Sequence, residues 1–331
     1  MHRWWKSSSL ADSHQKDLND MGSQEALEQG AVRKLGSWPE LTGPISFGIN
    51  IPNATGNYYD GTPRYSDVLA MSRASVDAGY EVLWWDDHFS FPDGEDGVRG
   101  QWEAWTLMAA ISAEIPDVYL GPMVACTAYR NPGVIAKMTE MIDEISGGKF
   151  ILGLGAGWQK DEYRQFGIRF EPRVSQFAEA IHIIHGLLRD GEVDYQGEFY
   201  QANEAKNLPR GPREDGAPIL IGSSSPRMLK LLARYADAWN TGGGTIEEVS
   251  EKIARLDAAC EEADRDPKTV TRTIGHSLEV EDGALAKSVD EHVEKLRQYQ
   301  GLGISHVMFR IKHSTPETIA LTEPIIKAIR G

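Results

Sequence analysis

Asp86-Asp87-His88-Phe89 is the stretch of this 331-residue chain best equipped for proton transfer. An imidazole titrates near neutral pH, and a neighbouring carboxylate can orient it and raise its basicity. His88 and Asp87 are therefore the catalytic candidates. A histidine in an acidic surface loop is the plain alternative, and position in the fold has to decide. A second stretch, Gly153-Leu-Gly-Ala-Gly157-Trp158, carries glycines at alternate positions. These let a planar ring or a phosphate approach the backbone, although glycines also relieve crowding in a packed interior. Their spacing is not that of a dinucleotide fingerprint. A third stretch, Gly222-Ser223-Ser224-Ser225-Pro226-Arg227, places three hydroxyls before a helix that starts at Pro226. Free backbone N–H groups and the positive end of the helix dipole would make it a phosphate cradle, to which Arg227 could add a charge-assisted bond. Ordinary N-capping by a single serine is the competing explanation.

Other residues point less firmly to chemistry. His182 and His185 are three apart on a helix, but no third ligand is evident and no metal site is expected. Trp84-Trp85 could line a ligand, with packing sufficient for at least one of them. Cys126 lacks a nucleophile's partners and reads as core. Lys206, Arg210 and Arg213 form either a solvated loop or a clamp for an anionic tail.

Positioning such residues requires a scaffold, and the patterning supplies one. From Ile45 onward, short apolar runs alternate with helical periodicity, which is the signature of parallel βα units. The strands are expected at 45–50, 81–86, 118–126, 150–154, 218–221, 236–240, 272–280 and 306–311. Helices follow each, the clearest after Asn131-Pro132, an N-cap and a first-position proline. Residues 193–216 read as a hairpin and loop inserted between the fourth and fifth core strands. Eight units predict a (β/α)8 TIM barrel spanning residues 45–331, with the active site at the C-terminal strand ends. A doubly wound sheet would carry a glycine-rich fingerprint after its first strand, where this chain has Ile49-Asn50-Ile51-Pro52-Asn53. Residues 1–44 are polar and aperiodic, and predict a disordered or loosely docked extension. No apolar run follows the charged start, so a secretory signal is not expected.

Composition narrows the function classes. Lys+Arg number 34 against 49 Asp+Glu, a net charge of −15, which argues against a nucleic-acid binder. Two cysteines exclude a disulfide scaffold and suggest a reducing, cytoplasmic setting. The apolar runs fall short of the roughly 18 residues a spanning helix needs.

Taken in order, Tyr129-Arg-Asn-Pro132, Ile145-Ser-Gly-Gly-Lys-Phe-Ile-Leu-Gly-Leu-Gly-Ala-Gly-Trp158, Glu162-Tyr163 with Phe166-Gly167, Tyr195-Gln-Gly-Glu-Phe-Tyr200, Pro218-Ile-Leu-Ile-Gly222 and Ala236-Asp-Ala-Trp-Asn240 resemble the bacterial luciferase-like family of flavin- and deazaflavin-dependent oxidoreductases. The resemblance covers roughly residues 45–311. It implies a barrel with an isoalloxazine-type ring over the strand ends, backed by Met123 and Val124, often through a non-proline cis peptide. It further implies that Gly155, Ala156 and Gly157, with Trp158 beside them, approach the ring or phosphate, and that Gly222, Ser223, Ser224, Ser225 and Arg227 hold the phosphate. Asp87-His88 matches the Asp-His pair of the deazaflavin branch, where the histidine can act as general base towards an alcohol. Trp158 stands where the sugar-phosphate dehydrogenases of that branch carry a glutamate, so their chemistry is not expected here. The implied activity is hydride exchange between coenzyme F420 and a small organic substrate. The alternatives are an FMN- and O2-dependent monooxygenase supplied by a partner flavin or F420 reductase, and a non-catalytic flavin-binding protein. A homodimer is implied as well.

Overall fold

Parallel pairing of eight short apolar strands closes a barrel in the computed structural model, which describes residues 23–56, 58–93 and 97–331. The strands are β1 (Ser46–Asn50), β2 (Val82–Trp85), β3 (Tyr119–Pro122), β4 (Leu152–Gly155), β5 (Ile219–Gly222), β6 (Ala238–Thr241), β7 (Thr271–Leu278) and β8 (His306–Ile311). Neighbours run β3-β2-β1-β8-β7-β6-β5-β4. The ring closes because β3 resumes as Ala125–Cys126 and pairs there with Leu154 and Gly155 of β4. Between the two parts of β3 lies the Met123–Val124 peptide, which is cis. Gly153 makes this closure possible: a Cβ there would sit 2.1 Å from the carbonyl oxygen of Pro122. Its glycine is therefore required by strand packing, whatever binds above it.

Before and around the barrel lie helices α1 (Ser23–Glu28), α2 (Tyr65–Asp77), α3 (Ala104–Glu114), α4 (Pro132–Ile145), α5 (Lys160–Gln165), α6 (Arg173–Arg189), α7 (Pro226–Tyr235), α8 (Ile246–Glu262), α9 (Val289–Gly301), α10 (Pro316–Ala320) and α11 (Glu323–Arg330). The Asn131 side chain caps α4 by accepting from the Gly133 N–H at 2.9 Å. The closing helix expected from the sequence is two pieces, broken before Pro324, whose ring cannot continue a helix interior. No helix of the described residues is long and apolar enough to cross a membrane. The outer faces of the strands and the inner faces of the helices form one apolar layer containing Phe47, Trp85, Phe177, Ile221 and Trp239. A smaller cluster fills the barrel: Val82, Trp84, Ile151, Leu220, Ala238 and Met308. Within it the Trp84 indole donates to His306 Nε2 at 3.2 Å, and His306 Nδ1 meets Ser46 Oγ at 2.8 Å. Burial takes the His306 pKa down to about 3, so this ring is a neutral packing element. Both tryptophans of the Trp84-Trp85 pair are thus structural.

Residues 23–44 of the expected extension make specific contacts, while residues 1–22 lie outside the described residues. α1 packs on α6 and α7 with Leu27 fully buried. Arg234 donates to the Ala26 carbonyl at 2.7 Å, and His185 Nε2 meets the Lys34 carbonyl at 2.7 Å. The Gly36 N–H donates to Asp237, which is also paired with Arg189. Trp38 and Leu41 then cover the interior cluster at the N-terminal end of the barrel. Apolar burial and pairing of otherwise orphaned carbonyls outweigh the chain entropy that polar composition alone suggests is decisive.

After α6 the chain makes an antiparallel hairpin, Glu192–Gln196 with Gln201–Lys206. Buried Glu179 receives the N–H groups of Glu198, Phe199 and Tyr200, each at 2.9 Å, which fixes the turn. The following basic residues are tied down too. Arg210 pairs with Glu140 and Arg213 with Asp143, both on α4, and Lys206 with Glu192. For Arg210 and Arg213 these ion pairs replace both the solvated-loop and the anionic-clamp expectations, whereas Lys206 stays exposed beside Glu192.

Candidate active site

A cavity of about 620 Å³ opens at the C-terminal ends of the strands, within the roughly 300–1,000 Å³ typical of small-molecule sites. Of the sequence candidates, Asp87, His88, Met123, Val124, Gly155, Ala156, Gly157, Trp158, Gly222, Ser223 and Ser225 line it. Ser224 and Arg227 are not among its lining residues.

His88 is held by a residue that its sequence neighbours did not suggest. Its Nδ1 lies 2.7 Å from Glu162 Oε2, on the short helix α5. Glu162 is fully buried and also receives the Tyr129 hydroxyl at 2.7 Å and the N–H groups of Phe89 and Ser90. Burial alone would raise this carboxyl's pKa. The bond and charge of His88 and the two backbone donors outweigh burial and hold it below the usual range. An ionised acceptor at Nδ1 fixes the ring with its proton on that nitrogen, leaving Nε2 with no protein partner among the described residues. The ring faces Phe91 at 4.6 Å and Trp158 at 5.4 Å between centroids, so its cavity side is aromatic.

Asp87 does something else. Its carboxylate is paired bidentately with Arg130 at 2.8 and 2.9 Å and accepts the Cys126 N–H at 3.1 Å. No hydrogen bond joins it to His88. Asp87 therefore anchors the β3–β4 side of the site, and the orienting carboxylate expected of it belongs to Glu162. The Cys126 thiol, 3.0 Å from the Tyr163 hydroxyl, is pushed by burial up to about 12, consistent with a packing role.

Gly157 has a φ of +75°, and a Cβ on it would meet the Tyr163 hydroxyl at 2.1 Å and Cys126 Sγ at 2.7 Å. Only glycine fits this turn, which carries Trp158 out over the cavity, 63% exposed. At the far rim two helices begin. Ser225 precedes α7 with no side-chain cap bond, and Pro172 likewise leaves α6 uncapped by its side chain. Ser223, Ser225, Arg173 and Val174 line the cavity there. Hydroxyls at an uncapped helix start suit a phosphate. Arg227 instead pairs with Glu28 of α1 and contacts Ser175, and Ser224 Oγ lies 3.4 Å from Thr241.

Asp86, which the sequence offered only as the start of the Asp86-Asp87-His88-Phe89 stretch, lines the cavity together with Asn50, Asn53, Gln101 and Arg310, which were not singled out as site residues. They come from β1, the loops after β1 and β2, and β8, and meet only in the closed barrel. Glu162 appeared in the sequence only as part of a family stretch; its contact with His88 spans 74 positions.

The luciferase-like monooxygenase family profile matches residues 45–286. The 5,10-methylenetetrahydromethanopterin reductase of Archaeoglobus fulgidus is 24% identical over 267 residues, 81% of this chain and 74% of that one. The pyrimidine monooxygenase RutA of Agrobacterium fabrum is 33% identical over 193 residues, and the match spans 56% of this chain and 52% of RutA. Among solved structures, an F420-dependent secondary alcohol dehydrogenase in complex with an F420-acetone adduct superposes with a TM-score of 0.73 at 18% identity, covering 87% of this chain and 99% of that one. The monooxygenase RslO1 from Streptomyces bottropensis gives 0.71 at 17% identity, covering 86% and 98%. These two structures share the fold. With the profile covering most of the barrel, this chain belongs to the luciferase-like monooxygenase family of oxidoreductases.

Proposed function

We propose that the protein exchanges hydride between the deazaflavin coenzyme F420 and a small organic substrate, with His88 moving the accompanying proton. The observation that carries this reading is the Glu162–His88 pair: a buried carboxylate at Nδ1 and an unpartnered Nε2 at the cavity. Such a ring can take the hydroxyl proton of an alcohol as its carbon–hydrogen bond is broken, and return it in the reverse direction. The cofactor, when bound, would supply the hydride acceptor; the chain supplies position and proton traffic. Ser223, Ser225 and the free N–H groups at the start of α7 would hold its phosphate. Gly155, Ala156, Gly157 and the Met123–Val124 segment would lie along its ring.

A second reading is an FMN- and O2-dependent monooxygenase fed by a partner flavin reductase. Its support is the 33% identity to a RutA pyrimidine monooxygenase over 193 residues. The two separate in one titration of purified protein with F420 and with FMN, followed by fluorescence quenching. Micromolar binding of F420 without FMN supports hydride transfer, and FMN binding without F420 overturns it.

A further inference from the structure

Across the ring from the proposed phosphate cradle, the cavity wall is polar. Asn50 ends β1, four strands around the barrel from β5, and Arg310 lies on β8, three strands from β5. Asp86 Oδ1 accepts from Arg310 Nη2 at 2.8 Å and from Asn50 Nδ2 at 3.2 Å. The Asp86 carbonyl accepts from Gln101 Nε2 at 2.6 Å and Asn53 Nδ2 at 3.2 Å. The amide N–H groups of three side chains are thus turned onto Asp86 and fix it. Because Asn50 donates to Asp86, its oxygen is left for the cavity, and the side chain is 96% buried. Among the described residues that oxygen has no protein partner, nor has Gln101 Oε1. Arg310 Nε is likewise buried without an acceptor.

The wall therefore offers the Arg310 guanidinium beside several acceptor oxygens, with Arg310 and Asp86 neutralising each other, while the second guanidinium that lines this side, Arg99, is paired with Asp93. A carboxylate on the substrate would face the Asp86 charge and the Asn50 oxygen. A hydrocarbon would leave buried polar groups unpaired, which is how polar sites reject apolar analogues. A neutral –NH–C(=O)– edge matches both halves: its N–H meets the acceptor oxygens and its carbonyl meets the guanidinium.

We propose that Asp86, Arg310 and Asn50 form a substrate-recognition subsite that takes a neutral amide, with the rest of the substrate directed towards His88. This rests on the reading of the cavity as the substrate chamber. The test uses three six-membered rings as probes on the full chain without cofactor: 2-piperidone, cyclohexanone and cyclohexanecarboxylate, titrated by ligand-observed NMR. The lactam is expected to bind at least about fivefold more tightly than either of the others. In Asp86→Asn, which keeps the size of the side chain and a neutral acceptor for Arg310, the lactam weakens and the carboxylate gains, so that their order reverses. Equal binding of the three rings to the wild-type protein, absence of lactam binding, or an unchanged order in Asp86→Asn overturns the proposal. The wild-type ranking decides even if the variant does not fold. Titration of the same samples with F420 and FMN reads the cofactor separately: failure of both overturns the functional reading while the ring order still stands or falls by itself.

Discussion

Glu162→Gln isolates the feature on which the mechanism depends, because it preserves the size of the side chain and removes its charge. The carboxylate accepts four hydrogen bonds, from His88 Nδ1, the Tyr129 hydroxyl and the N–H groups of Phe89 and Ser90. An amide offers one acceptor oxygen and one donor NH2. If its oxygen serves the two backbone N–H groups, its NH2 faces His88 and demands the opposite tautomer, which puts the proton on Nε2 and removes the base from the cavity. If it is flipped, NH2 opposes two backbone donors. Either orientation loses at least two charge-assisted bonds, each worth roughly 1.5–3 kcal/mol, so stability should fall by about 2–4 kcal/mol after relaxation. General-base assistance contributes about 10²–10⁴ in rate, so kcat for alcohol oxidation with F420 should drop about 10²- to 10³-fold. F420 affinity should stay within a few-fold, since Glu162 does not line the cavity.

Glu162 also makes stability depend on pH in the acid range. The folded-state pKa of Glu162 is depressed below its unfolded value, so its contribution is fully present above about pH 4.3 and is lost as pH falls through the folded value. Urea unfolding of the wild type should therefore weaken below about pH 4.3, with the gap to Glu162→Gln narrowing there. Wild-type kcat in the variant, or a stability difference constant through acid pH, would show that the Glu162 charge does not hold His88 in its working tautomer.

Three other perturbations probe neighbouring links. His88→Ala should lower turnover by about 10²–10⁴ while leaving F420 binding almost unchanged; equal losses in kcat and affinity, measured by steady-state kinetics and quenching titration, would contradict a proton-transfer role. Ser223→Ala combined with Ser225→Ala should weaken cofactor binding about thirtyfold, from two lost hydrogen bonds of about 1 kcal/mol each, whereas Ser224→Ala with Arg227→Ala should not. The reverse pattern in that titration would place the phosphate nearer Arg227 than the cavity lining indicates. Leu27→Ala should cost about 2–4 kcal/mol in urea unfolding, because Leu27 is fully buried on the barrel. A loss below about 0.5 kcal/mol would show that α1 is not part of the cooperative fold.

Much of the scaffold was legible from local pattern. Helix α7 and strand β8 fall at the residues their periodicity indicated, and the Asn131-Pro132 start of α4 is where capping chemistry placed it. These features are decided within a few residues, by burial of one face and by the backbone groups at helix ends. The strand-end rule then directed attention to His88, Gly155 to Trp158 and Ser223, all of which line the cavity. The short helix α5 was not anticipated, since six residues with two acids and two bases carry no clear apolar period. Residues 23–44, expected to be disordered or loosely docked, find specific partners in the distant Arg234, His185 and Asp237, which no local pattern identifies.

Local pattern placed the eight strands and most of the helices, and hence the loops that gather at one end of the barrel. Only the tertiary structure decided which groups in those loops meet: Glu162 rather than Asp87 at His88, Glu28 at Arg227, and Arg310 at Asp86. The physical reason is range. Secondary structure follows from interactions between near neighbours in the chain, whereas hydrogen-bond partners in a buried site are chosen by ring closure, desolvation and the need to pair every buried polar group, over separations of 74 to 224 residues.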